Sequence, residues 1–181
     1  MNYEPRPPRR GLLPNLSSEI ISNITRIEYS VFTKADCSLA WRVFSNIEFW
    51  PKFCKLYTRA RWQGTPWTPG SRVKLELGPP VNATADRVVT VCTPPHHVAW
   101  INHICGYTME QWISFDPYCL GGTRVSAWIE VTGGDPARDR AEDMKLLRNV
   151  VEEWFDNFWR ECDLVAQQAS SGDIRREADI R

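Results

Sequence analysis

Three histidines, a cysteine and a glutamate have types and spacing that invite chemistry: His96, His97, His103, Cys105 and Glu110. On a strand, positions two apart share a face, so His97, His103 and Cys105 would point the same way, as metal ligands do. The grouping falls short of a metal site. His96 and His97 follow two prolines in a turn, no acid is fixed beside them, and the intervals are not those of a zinc motif. Turn or surface histidines are the plainer reading, and no metal is expected. Acid–base catalysis needs a histidine or carboxylate held in a cavity with a shifted pKa. Glu110 is the one strand carboxylate that a plausible hairpin register turns inward, and a neighbouring register turns it out. Arg59 and Arg61 could meet an acidic ligand group, although a solvated strand face accounts for them more simply. The sequence has no GxSxG, no phosphate-binding glycine loop and no HExxH. No residue takes a catalytic role on these grounds, and no cofactor is implied.

Amides point to a different chemistry, that of a ligand pocket. If Cys105 and Gly106 are the two turn residues of a hairpin, Ile104 pairs with Tyr107, Asn102 with Met109, Trp100 with Gln111 and Val98 with Ile113. One face then carries Val98, Trp100, Asn102, Ile104, Met109, Gln111, Ile113 and Phe115, with Asn102 and Gln111 its polar members. Apolar walls that supply affinity and a few amides that fix orientation are how pockets are commonly lined. In a filled core the same amides would bond each other or a buried water. A three-residue turn would swap the faces of residues 108–115 and bring Glu110 and Trp112 inward.

The surface opposing this hairpin must come from the last long helical segment, Ala141 to Ala169. Met144, Leu147, Val151, Trp154, Phe158, Cys162, Val165 and Ala169 recur at spacings of three and four, the mark of an amphipathic helix. At ~1.5 Å per residue it is roughly 40 Å long, enough to cover a sheet face. Val151, Trp154, Phe155 and Phe158 suit a flat hydrophobic ligand, and equally a plain core. Trp41, Phe49 and Trp50 lie on two short helices, where they close one end of a cavity or cap the core.

Those short helices follow a first strand. Ile27, Tyr29, Val31 and Thr33 alternate with Arg26, Glu28 and Ser30; Asp36 then offers an N-cap, and Pro51 breaks the Ile47–Cys54 segment. Strands follow at Tyr57–Gln63, around Val73–Leu77, at Asp86–Cys92, Val98–Ile104, Thr108–Phe115 and Thr123–Val131, joined by Gly- and Pro-rich turns. Short links between consecutive strands imply an antiparallel meander, and a curved one wraps the helix that covers it.

A chain of 181 residues with 43% hydrophobic content suffices for one domain with a sizeable core. Residues 1–17, rich in Pro and Arg, are expected to form a mobile arm, with a short helical turn at Ser18–Ser22. Residues 18–169 form the single domain, and 170–181 are expected to be a frayed tail. Lys plus Arg and Asp plus Glu both number 22, which leaves no global field to attract nucleic acid or anionic lipid. No leader-like h-region follows the N-terminal arginines, and no apolar run approaches the roughly 20 residues of a membrane span. A soluble, cytoplasmic protein without membrane insertion is expected, its six scattered cysteines reduced. Oligomeric state stays open, a homodimer included.

The run ADCSLAWRVFSNIEFWPKF is similar to the AP-x-x-x-VW-x-x-x-x-D-x-x-x-x-P opening of polyketide cyclase/dehydrase-like proteins in the START/Bet v 1-like (SRPBCC) superfamily. TPGSRVKLEL, the PP-x-x-V-x-W of PPHHVAWINH, GGTRV and the terminal helix fit in the same order, from about Ile24 to Ala169. Asp36 stands where the pattern has Pro, and Asn46 where it has Asp. The resemblance implies an α+β helix-grip fold, a curved antiparallel sheet gripping the C-terminal helix, with a cavity for an apolar ligand. It does not imply a reaction, because members bind lipids, hormones or quinones, cyclise polyketides or assist chaperones. The leading expectation is binding of a small hydrophobic or aromatic molecule, lipid-, quinone- or polyketide-like. A polyketide aromatase/cyclase or dehydratase in the same cavity is the alternative, favoured by an inward Glu110 or His103. A filled core would instead mark an interaction protein.

Overall fold

The computed structural model describes residues 24–178, with side-chain surroundings for residues 24–169. The arm expected at 1–17 and the turn at 18–22 lie outside the described residues. The elements are β1 (Thr25–Thr33), α1 (Cys37–Ser45), a 3₁₀ turn (Ile47–Phe49), α2 (Trp50–Phe53), β2 (Tyr57–Gln63), β3 (Arg72–Leu77), β4 (Ala83–Thr93), β5 (His97–Ile104), β6 (Tyr107–Pro117), β7 (Thr123–Gly133) and α3 (Arg140–Ala178). The seven strands form one antiparallel sheet in the order β1-β7-β6-β5-β4-β3-β2. This is the helix-grip α+β arrangement that the alternation and the stripe imply.

Local chemistry sets the breaks. Asp36 caps α1 by accepting from the Leu39 amide at 2.8 Å, and Asn46 ends α1 while its side chain accepts from Glu48 N at 3.2 Å. Cys105 and Gly106 both adopt positive φ, +50° and +77°, as a two-residue hairpin turn requires. The register follows: Ile104 opposes Tyr107, Asn102 opposes Met109, and Trp100 opposes Gln111. At the β6–β7 turn, Gly122 has φ +84°, and a Cβ there would sit 2.1 Å from the Thr33 carbonyl oxygen, so no other residue fits.

α3 is fastened along one side of its length. Tyr29 donates to Asp156 (3.0 Å), Thr33 Oγ1 and Lys34 N donate to Asp163 (2.6 and 2.7 Å), and Asn157 donates to the Phe53 carbonyl (3.0 Å). These bonds hold it over β1 and α2, and its first turns are left facing β3 to β6 across a gap. The helix continues past Ala169 to Ala178.

Candidate functional site

Two connected chambers lie in the gap between α3 and the sheet. The outer one, about 100 Å³, is walled chiefly by Leu75, Leu77, Ile104, Met109, Met144 and Leu147. The inner one, about 40 Å³, reaches Trp100, Gln111, Ile113, Val151, Trp154 and Phe155. Tyr57, Arg87, Asn102, Met109, Leu147 and Val150 border both.

The polar groups converge where the chambers join. Arg87 lies on the inward phase of β4, between Ala85 and Val89, and is 9% exposed. Its Nη2 donates to the Tyr57 hydroxyl at 2.7 Å, and its guanidinium sits 5.2–5.4 Å from the ring centres of Trp50, Tyr57 and Trp100. Such cation–π contacts offset part of the desolvation of a buried charge. Burial pushes the Tyr57 hydroxyl above its ordinary range, opposed by the neighbouring Arg87 charge. Asn102 stands directly across from Arg87 on β5 and is 5% exposed. Arg87 Nε, Asn102 Oδ1 and Trp154 Nε1 are buried with no hydrogen-bond partner. Gln111, by contrast, accepts from Trp100 Nε1 at 2.8 Å, so the two amides do not bond each other.

At the outer end, Arg138 grips Asp143 with two hydrogen bonds of 2.9 and 2.6 Å, and Tyr107 donates to the same carboxylate at 2.9 Å. The Arg138 hydrogen bond, joined by that from Tyr107, holds the Asp143 carboxyl below the usual range against a smaller effect of burial. This cluster ties the start of α3 to the β5–β6 hairpin.

Of the residues expected at a site, Trp100, Asn102, Met109, Gln111, Ile113, Val151, Trp154 and Phe155 are brought together around the inner chamber. Trp41, Trp50 and Phe158 border neither chamber. Trp50 and Phe158 are fully buried in an aromatic cluster, and Trp41 packs on its edge against Phe44 and Phe115. Phe49 lines a separate surface groove with Trp62, Trp67 and Val165. Glu110 and His103 are on the outer sheet face, where His103 contacts Thr108 at 3.1 Å, and His97 stacks on Trp112. Arg59 and Arg61 are exposed, Arg61 lying 3.5 Å from Glu76. No group of three His, Cys, Asp or Glu side chains is placed to hold a metal among the described residues. Arg87 is the residue that sequence reasoning missed. Its signal was present: in Ala83, Ala85, Arg87, Val89 it is the one charge in an apolar phase.

No family model matches the sequence, and no curated protein matches it. Solved structures do. The di-domain ARO/CYC StfQ from the steffimycin biosynthetic pathway superposes with TM-score 0.66 at 14% identity, over 84% of this chain and 54% of that one. The chain thus spans about half the length of that protein. Ara h 8.0201 gives TM-score 0.64 at 8% identity, over 77% of this chain and 97% of that one. A START superfamily protein from Mycobacterium smegmatis gives 0.58 at 12%, over 80% and 98%. The chain therefore shares the helix-grip fold of these structures. Identities this low speak for the fold alone. No helix among the described residues is long and apolar enough to cross a membrane.

Proposed function

We propose that this protein binds a small, mostly apolar molecule with one polar head, held between α3 and strands β3–β6. The observation that carries the reading is the inner chamber, bordered by Arg87, Asn102 and Trp154, each with an unpartnered buried polar atom among apolar walls. A filled core satisfies its buried polar groups; a binding site leaves some for its ligand. Desolvation against Leu75, Met109, Met144 and Leu147 supplies affinity, and the polar atoms orient the molecule. The cytoplasm is the proposed compartment, in keeping with six cysteines that pair with none of their own.

One observation favours the enzymatic alternative, an aromatase/cyclase. Tyr57 accepts from Arg87, which leaves its own hydroxyl proton to be directed at a bound carbonyl as a general acid would be. Two proteins of similar structure, StfQ and BexL, are di-domain ARO/CYC proteins. Turnover of a poly-β-carbonyl substrate that is lost in Tyr57→Phe with binding retained would establish it. For the binding reading, native mass spectrometry of the purified protein, followed by organic extraction, is the direct test. A retained apolar small molecule supports it. An empty protein with no thermal shift across lipids, quinones and small aromatic compounds would count against it.

A further inference from the structure

Arg87 is a buried arginine whose charge meets three aromatic rings and one hydroxyl but no anion. Among the described residues no carboxylate lies within ion-pair distance of it, and its Nε–H is unpartnered. The one carboxylate bordering either chamber, Asp143, is committed to Arg138 and Tyr107 at the outer end. A buried cation with no anion is an expensive arrangement that apolar replacement would relieve. The missing counter-charge therefore has a natural source in the occupant of the chamber.

The neighbouring atoms and the volume narrow the class. Arg87 Nε–H and Trp154 Nε1–H are two unmet donors, and Asn102 Oδ1, directly across β4–β5 from Arg87, is an unmet acceptor. The outer chamber measures about 100 Å³ and the inner about 40 Å³. Together they approach the roughly 150 Å³ in which a single benzene ring fits. Beyond them the deep end is closed by Phe44, Trp50 and Trp100, all at most 2% exposed. A fused multi-ring skeleton would have to project from the mouth of the outer chamber or lift α3 off the sheet.

Taking the chamber as the binding site, as proposed above, we infer that its ligand is a single-ring monoanion: a carboxylate or similar acidic oxygen group, with a hydrogen-bond donor beside it. The anionic oxygens take Arg87 Nε–H and Trp154 Nε1–H, the adjacent donor meets Asn102 Oδ1, and the ring lies in the outer chamber against Met109, Met144 and Leu147.

The test compares 2-hydroxybenzoate with its neutral isostere 2-hydroxybenzamide by titration calorimetry, with toluene as an apolar control. The anion should bind roughly 10- to 100-fold more tightly than the amide, the range of a charge-assisted hydrogen bond. Arg87→Met should bring the two affinities together, and Arg87→Lys should keep part of the preference. The empty Arg87→Met protein should melt no lower than the parent, because a buried charge without a counter-ion has gone. A purely structural arginine predicts the reverse, a large fall in melting temperature, and that result would overturn the inference. Equal binding of acid and amide to the parent protein would overturn the anionic class and leave the chamber reading standing. Exclusive binding of multi-ring acids such as an anthraquinone carboxylate would overturn the single-ring class. Failure of all compounds, toluene included, would instead sink the chamber as a binding site.

Discussion

At the end of the fold nearest α1 and α2, the rings of Phe44, Trp50, Phe53, Phe115, Trp154 and Phe158 contact one another at centroid distances of 5.1–6.5 Å. There the indoles of Trp50 and Trp67 donate to the carbonyls of Phe44 and Ser45 at 2.9 and 3.0 Å. At the other end, under the first turns of α3, aliphatic side chains of Leu75, Leu77, Met109, Met144 and Leu147 stop short of each other, and buried Arg87 Nε and Asn102 Oδ1 go unpaired. Both ends are apolar, so composition does not separate them. What separates them is chiefly whether packing is complete; Trp154, which touches both the rings and the inner chamber, leaves its indole N–H unpaired. Places where a protein leaves such rules unmet tend to be its functional ones.

The two ends should respond differently to truncation. Phe44→Ala, in the sealed end, should lose about 3–5 kcal/mol of stability, because the surrounding rings cannot collapse into the space. Denaturant unfolding would measure it, and a loss near zero would show the end to be loosely packed. Leu147→Ala, beside an existing void, should cost about 2 kcal/mol or less. It should also enlarge the chambers enough to admit a two-ring acid that the parent protein excludes, which calorimetry would detect.

A smaller effect concerns the cluster that ties α3 to the hairpin. The folded-state pKa of Asp143 is depressed chiefly by its Arg138 hydrogen bond, so its contribution is complete above the unfolded value of about 3.9. That contribution is lost as pH falls through the lower folded value. Urea midpoints taken across the acid range should therefore decline more steeply for the parent than for Asp143→Asn. Parallel declines would show that Asp143 carries no linkage.

Much of this was legible in the sequence because it depends on local period. Alternation gave the strands, Cys105-Gly106 gave the hairpin register and the inward placement of Asn102 and Gln111, and three-and-four spacing gave the face of α3. The division between sealed and open ends was not legible. Trp50, Trp100, Trp154 and Phe158 carry the same apolar signal, and only long-range packing decides which rings meet each other and which meet space. Arg87 shows the same limit from the polar side. The strand around it was recognisable, but an arginine reads as a solvated residue until β3 and β5 are known to flank it and α3 to cover it.

That ligand enters the open end and not the aromatic one is tested most directly by methionine methyl NMR. The sequence holds three methionines, two of which, Met109 and Met144, line the outer chamber. With the protein labelled at methionine methyl carbons and resonances assigned through Met109→Leu and Met144→Leu, titration with 2-hydroxybenzoate should move both signals by the ring current of the bound aromatic. Saturable binding by calorimetry that leaves both methyls in place would contradict the account and put the site elsewhere on the molecule.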